Sequence, residues 1–115
     1  MLTIDVGIFF IKYIWKGDQF MIHILASFEV KNDKLSDFIS LCNELIEKSR
    51  KEKGCISYHL QQNTEKENHL VFVEEWESNE AIEQHNASEH FTRIVPLLVE
   101  MCENAPIIQT FNKLV

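Results

Sequence analysis

Residues 69–76, HLVFVEEW, constrain this chain more tightly than any other stretch. Side chains alternate along an extended segment, so Leu70 and Phe72 point to one side and Val71 and Val73 to the other. Both faces of the strand therefore need apolar cover, whereas an antiparallel sheet commonly leaves one face wet. The polar run 63–68 before it has turn composition and hairpin length. That sets the strand antiparallel to residues 55–62, CISYHLQQ, with Ile56, Tyr58 and Leu60 expected on one face and Cys55, Ser57 and His59 on the other.

The remaining elements follow from periodicity. Ile22, Ile24, Ala26, Phe28 and Val30 alternate with His23, Leu25, Ser27 and Glu29, which predicts a first strand. Asn32 or Asp33 is expected to cap a helix on which Leu35, Phe38, Ile39, Cys42, Leu45 and Ile46 form one stripe, with Gly54 closing it in the left-handed conformation. Ser78 or Asn79 caps a short helix. Another follows with Phe91, Ile94, Val95, Leu98 and Cys102 at helical spacing, and Pro96 is expected to kink or restart it. Pro106 precedes a last strand, 107–115. Strand, helix, strand, strand, helix, strand is an α+β chain of two split βαβ units: a ferredoxin-like, four-stranded antiparallel sheet with helices on one face. The simplest cover for the other apolar face is the sheet of a second copy, which predicts a homodimer.

A chain of 115 residues is one domain by size. The first 20 residues differ in kind from the rest. Their longest apolar run, 6–11, is far short of a membrane span, and there is no basic stretch before it or small-residue cleavage pattern after it. Lys16, Gly17 and Asp18 can be encoded by a sequence containing a bacterial ribosome-binding site at a sensible distance before Met21. Residues 1–20 are therefore expected to be an extension arising from a mis-assigned start, with the domain at 21–115. A net charge of −7, with Lys and Arg scattered among acids, excludes nucleic acid as a partner, and no membrane partner is expected. Cys42, Cys55 and Cys102 are odd in number and lack metal-ligand spacing, so reduced thiols in a cytoplasmic protein are expected. No glycine-rich phosphate loop, HExxH or paired CxxC occurs, so no metal site and no bound cofactor is expected.

The chemistry-bearing side chains crowd into 70–91. Glu74 shares a strand face with Trp76, and His85 follows nine residues later on the next helix. An imidazole near a carboxylate and an apolar wall is the side chain best able to exchange a proton near neutral pH. Of the adjacent acids Glu74 and Glu75 one must face inward, and an inward carboxylate is costly unless paired or protonated. Trp76 fits a core aromatic as well as a pocket wall. His90 fits a helix-terminus contact with Ser88 as well as a site, and Tyr58 fits the core as well as a ligand contact.

The segments MIHILASFEVKNDKLSDF, GCISYHLQQ and VFVEEWESNEAIEQHNASEHF resemble the antibiotic biosynthesis monooxygenase family of small dimeric α+β barrel proteins, which includes quinol monooxygenases. The most specific portion is E-x-W followed by a helical His and then S-x-H-F: Glu74, Trp76, His85, Ser88, His90 and Phe91. Gly54 and Tyr58 match the family's G-x-x-x-Y. The resemblance implies a cofactor-independent monooxygenase acting on a quinol or polyphenol-like small aromatic. It gives His85 proton transfer, Glu74 the role of orienting His85 or sharing its proton, Trp76 and Phe91 a clamp on the ring, and Tyr58 or His90 a hydrogen bond to a substrate oxygen. Heme-degrading relatives carry an inward Asn on the first strand and an axial His in the third helix, where this chain has Ser27 and Val95. Other relatives isomerise small signalling sugars or only bind ligands.

Overall fold

The computed structural model describes residues 20–115, so residues 1–19, nearly all of the expected extension, lie outside the described residues. The elements run β1 (Phe20–Glu29), a 3-10 turn (Asn32–Lys34), α1 (Leu35–Arg50), β2 (Cys55–Gln62), β3 (His69–Ser78), α2 (Asn79–Asn86), α3 (Glu89–Glu100) and β4 (Ile107–Asn112). All pairings are antiparallel and the sheet order is β2-β3-β1-β4, the ferredoxin-like arrangement read from the sequence.

One face of the sheet carries Ile22, Ile24, Ala26 and Phe28 from β1 and Leu70, Phe72, Glu74 and Trp76 from β3, all buried. Phe38, Cys42 and Leu45 of α1 and Phe91, Ile94, Val95 and Leu98 of α3 close over them. Each fully buried large side chain contributes roughly 1.5–3 kcal/mol over leaving it in water. Arg93 ties α3 to α1 by pairing with Glu44 while also bonding Glu89.

The opposite face is different. Leu25 pairs with Val73, Ser27 with both Val71 and Ile107, and His23 with both Glu75 and Phe111. Leu25, Val71 and Val73 are only half-buried, while Ile107 and Phe111 are 64% and 47% exposed. No described helix covers this face. β3 is thus apolar on both sides but covered on one by the described residues, whereas its sequence calls for cover on both.

Four local expectations are corrected. No side chain caps α1, because the 3-10 turn takes up Asn32 and Asp33 and leaves Lys34 at the cap position. Gly54 is not in the left-handed region: α1 ends at Arg50, and Gly54 is small because a Cβ there would lie 2.2 Å from the Ala81 Cβ. A bulge between Cys55 and Ser57 adds a residue to β2, so Cys55 lies opposite Trp76 and packs against the core while Ile56 turns outward at 42% exposure. α3 runs unbroken through Pro96. Pro96 and Thr92 are both exposed, so the Thr92 carbonyl that loses its amide partner is left on the wet side of the helix.

Candidate active site

The site lies where β2 and β3 meet the turn after α1 and the junction of α2 and α3. Ser78 caps α2 by accepting from the Ala81 N–H, and Ser88 caps α3 by accepting from the Phe91 N–H. The Ser88 hydroxyl also donates to the His85 carbonyl at 2.7 Å, so one serine fixes the end of α2 to the start of α3. Those two caps hold His85 and His90 side by side, with ring centroids 6.0 Å apart.

Glu74 is the inward acid of the pair, as expected, and is 2% exposed. Its Oε1 accepts a 2.9 Å hydrogen bond from Trp76 Nε1, two residues along the same strand face. Burial pushes the Glu74 carboxyl up to about 8; the Trp76 N–H opposes this and the Glu52 charge adds to it. At neutral pH Glu74 is therefore largely a neutral acid, able to donate a hydrogen bond from an apolar surrounding.

Glu74 does not orient His85. That role falls to Glu52, a residue the sequence pattern did not single out. His85 Nδ1 lies 2.6 Å and His90 Nε2 2.8 Å from the same Glu52 Oε2. Burial alone would raise Glu52, but the bonds from His85 and His90 outweigh it and hold the carboxyl below its ordinary range. Glu52 is thus a carboxylate that can only accept, so both imidazole nitrogens facing it are N–H donors. Burial lowers His85 below the usual histidine value against the pull of Glu52, which leaves a neutral ring with its proton on Nδ1. Its Nε2 is then a bare lone pair, buried and without a hydrogen-bond partner. A carboxylate that fixes an imidazole tautomer and leaves the far nitrogen as a base is the logic of an acid–histidine pair.

Aromatic rings surround that imidazole. His85 lies against Trp76 at 4.5 Å between centroids, Phe91 at 5.0 Å and Tyr58 at 5.4 Å. Tyr58, Glu74 and Phe91 also line a cavity between the sheet and helices α1 and α3, closed by Ala26, Phe28, Leu45, Phe72 and Val95. Its free volume is about 10 Å³, about enough for one water. Burial, then the nearby Glu74, holds the Tyr58 hydroxyl well above its usual value, so it stays protonated, with Ser49 as a polar neighbour. All six expected site residues thus fall in one region. Tyr58, Glu74 and Phe91 reach the cavity, while Trp76, His85 and His90 stand behind it.

Other chemistries find less support. Burial pushes Cys42 and Cys102 up to about 12 and Cys55 up to about 11, so none is a ready thiolate nucleophile. Val95, the residue expected at the position of an axial heme histidine, lines the cavity with an alkyl side chain that cannot ligate iron. Ser27 lies on the open sheet face, and its inward neighbour on β1 is Ala26. Among the described residues no helix is long and apolar enough to cross a membrane.

Comparison with known proteins agrees with this architecture. The family described as antibiotic biosynthesis monooxygenase matches residues 21–97. The chain is 35% identical over 80 residues to the uncharacterized protein sll1783 of Synechocystis sp. (strain ATCC 27184 / PCC 6803 / Kazusa), a match covering 70% of this chain and 54% of that one. The chain thus spans about half of that relative's length. It is 35% identical over 75 residues to the candidate monooxygenase YcnE of Bacillus subtilis (strain 168), covering 65% of this chain and 79% of YcnE. A crystal structure of a conserved protein from Methanosarcina mazei Go1 superposes with a TM-score of 0.81 at 36% identity, covering 84% of this chain and 95% of that one. A crystal structure of an antibiotic biosynthesis monooxygenase superposes with a TM-score of 0.80 at 32% identity, covering 83% and 100%.

Proposed function

This chain belongs to the antibiotic biosynthesis monooxygenase family, and from that premise we propose that it oxidises a quinol or polyphenol-like small aromatic with O2, without a metal or flavin. A hydroxyl of the bound ring gives its proton to Nε2 of His85, whose Nδ1–H is held by Glu52. The phenolate so formed is rich enough in electrons to pass one to O2. Recombination of the radical pair at a ring carbon, followed by loss of water, gives the oxidised ring: a quinol and O2 become a hydroxyquinone and H2O. Glu74 donates its O–H to the phenolate oxygen, an anion-stabilising contact strengthened by the dry surroundings. Trp76 and Phe91 hold the ring, and Tyr58 donates to a substrate oxygen. His90 acts one step back, through Glu52.

The observation that carries this reading is the pairing of a largely neutral, buried Glu74 at the cavity edge with an imidazole whose free lone pair is aimed by Glu52. A ring enters, and meets His85 and Trp76 behind the cavity, only if Leu45, Phe91 and Val95 draw back, since the closed space is water-sized and Phe91 stands between the cavity and the His85 ring it packs against. The apolar sheet face bearing Leu25, Val73 and Phe111 supports the homodimer, each copy covering the other's open face. Three free thiols fit a reducing, cytoplasmic setting. Oxygen-electrode assays over a quinol panel test the reaction. Uptake is expected from the wild type and lost in His85→Ala and Trp76→Ala, and uptake unchanged in both variants would refute the roles of these two residues.

A further inference from the structure

The Glu52 cluster has a property that proton transfer does not use. Its three residues come from three separate elements: the turn after α1, the last turn of α2 and the first turn of α3. They bring one carboxylate oxygen and two imidazole nitrogens within 4.8 Å of one another. Two histidines and one carboxylate converging on a point are a common donor set for first-row divalent metals, leaving further positions for water. Donors around a tetrahedral Zn2+ with bonds of about 2.0–2.1 Å stand roughly 3.3 Å apart. The two Glu52 contacts, at 2.6 and 2.8 Å, must open by less than an ångström, and the two imidazole nitrogens, within 4.8 Å of each other, must close by no more than about 1.5 Å. Glu52 can make that movement, because its side chain hangs from a turn and is 17% exposed. His90 is 13% exposed, so the cluster opens to solvent on that side, while His85 is sealed on the other.

We propose that Glu52, His85 and His90 form a binding site for a divalent transition-metal ion, and that the metal-bound protein is switched off. The ion takes the place of the two N–H···O bonds that now converge on Glu52. Each ring then carries its proton on the nitrogen away from the metal, so no proton need be lost. For His85 that nitrogen is Nε2, the lone pair the proposed reaction needs. Metal binding therefore converts the base into an N–H donor. The inhibitory half rests on the proposed quinol oxidation; the binding half does not.

Titration of the chelator-treated full chain with ZnCl2 at pH 7.5, followed by calorimetry and by thermal melting, tests the binding. One Zn2+ per chain is expected, with a rise in melting temperature, since an ion bound only by the folded state stabilises it. Glu52→Gln and His90→Gln should each weaken binding more than about tenfold while keeping the wild-type circular dichroism. Unchanged affinity in both variants would place the ion elsewhere, the cysteines included, and overturn the site. No binding by the wild type below millimolar Zn2+ would do the same. Oxygen uptake in parallel separates the two halves. If the wild type binds Zn2+ and its uptake falls in step, the switch holds; if uptake persists at saturating Zn2+, the switch is refuted and the site stands. An absence of uptake at every Zn2+ concentration refutes the proposed reaction and the switch built on it, leaving the binding result intact.

Discussion

Replacing Glu74 by Gln should remove a pH dependence of folding that the wild type carries. The Glu74 carboxyl titrates near 8 in the folded chain, and near the ordinary glutamate value of about 4.3 when unfolded. Between those values the folded state holds one more proton than the unfolded state, so stability falls as pH rises through this window. The slope is about 1.4 kcal/mol per pH unit. From pH 5.5 to 7.5 this amounts to roughly 2–3 kcal/mol, a large share of the total stability of a small domain. Gln retains a carbonyl to accept from Trp76 Nε1 and places an amide where the acid O–H stood, so the buried shape and bond are kept. Urea unfolding of both proteins at pH 5.5, 6.5 and 7.5 measures the effect. The other titrating groups are common to both and drop out of the difference. Wild type minus variant should decline by roughly 2–3 kcal/mol over the range, and parallel curves would show that Glu74 is an ordinary carboxylate.

Three further outcomes are expected. Glu52→Gln keeps an accepting oxygen but loses the negative charge and gains an NH2 group that can donate to His85 Nδ1, so His85 loses its fixed tautomer; kcat for quinol oxidation should drop on the order of a hundredfold with KM little changed. Gly54→Ala forces its new methyl onto Ala81 and should cost about 1–3 kcal/mol in urea unfolding, with most of the loss recovered by adding Ala81→Gly; a neutral Gly54→Ala would refute the close-packing account. Val73→Arg puts a charge in the middle of the open sheet face, opposite Leu25, and should shift the mass measured by light scattering from dimer to monomer; a dimer that persists would show that copies associate elsewhere.

The parts of the fold that follow strict periods were legible in the sequence. β1 and β3 alternate without interruption, and the register Leu25↔Val73 and Ala26↔Phe72 puts each apolar set on the face its pattern predicts. Glu74 could be chosen over Glu75 as the inward acid because it shares the face of Trp76. Where one residue breaks the period, the pattern misleads. The bulge at the start of β2 turned Ile56 out and Cys55 in, and no residue type marks a bulge of that kind. Gly54 was legible as special but for the wrong reason: its partner Ala81 is 27 positions away, and close packing of two backbones leaves no local signal.

Glu52 was illegible for the same reason. It sits among basic residues in KSRKEKGC, bonds partners 33 and 38 residues further on, and belongs to no apolar stripe. The available clue was stoichiometric: two histidines in one region needed a carboxylate, and Glu74 was already within reach of the Trp76 N–H. Glu52, in the turn leading into the strand beside Trp76, was then one acid among several, with Glu75, Glu77, Glu80, Glu83 and Glu89, and nothing local set it apart.

The most direct test of the central claim is the fate of oxygen atoms. Incubating the metal-free protein with an active quinol under 18O2, with rapid reduction and mass spectrometry of the product, reads whether one atom of O2 enters the ring. The product should gain a single 18O and the second should appear in water, with the incorporation lost in His85→Ala. A product oxidised without any gain of 18O would contradict the account, since it would make the protein at most an oxidase and leave the His85 lone pair without its proposed task.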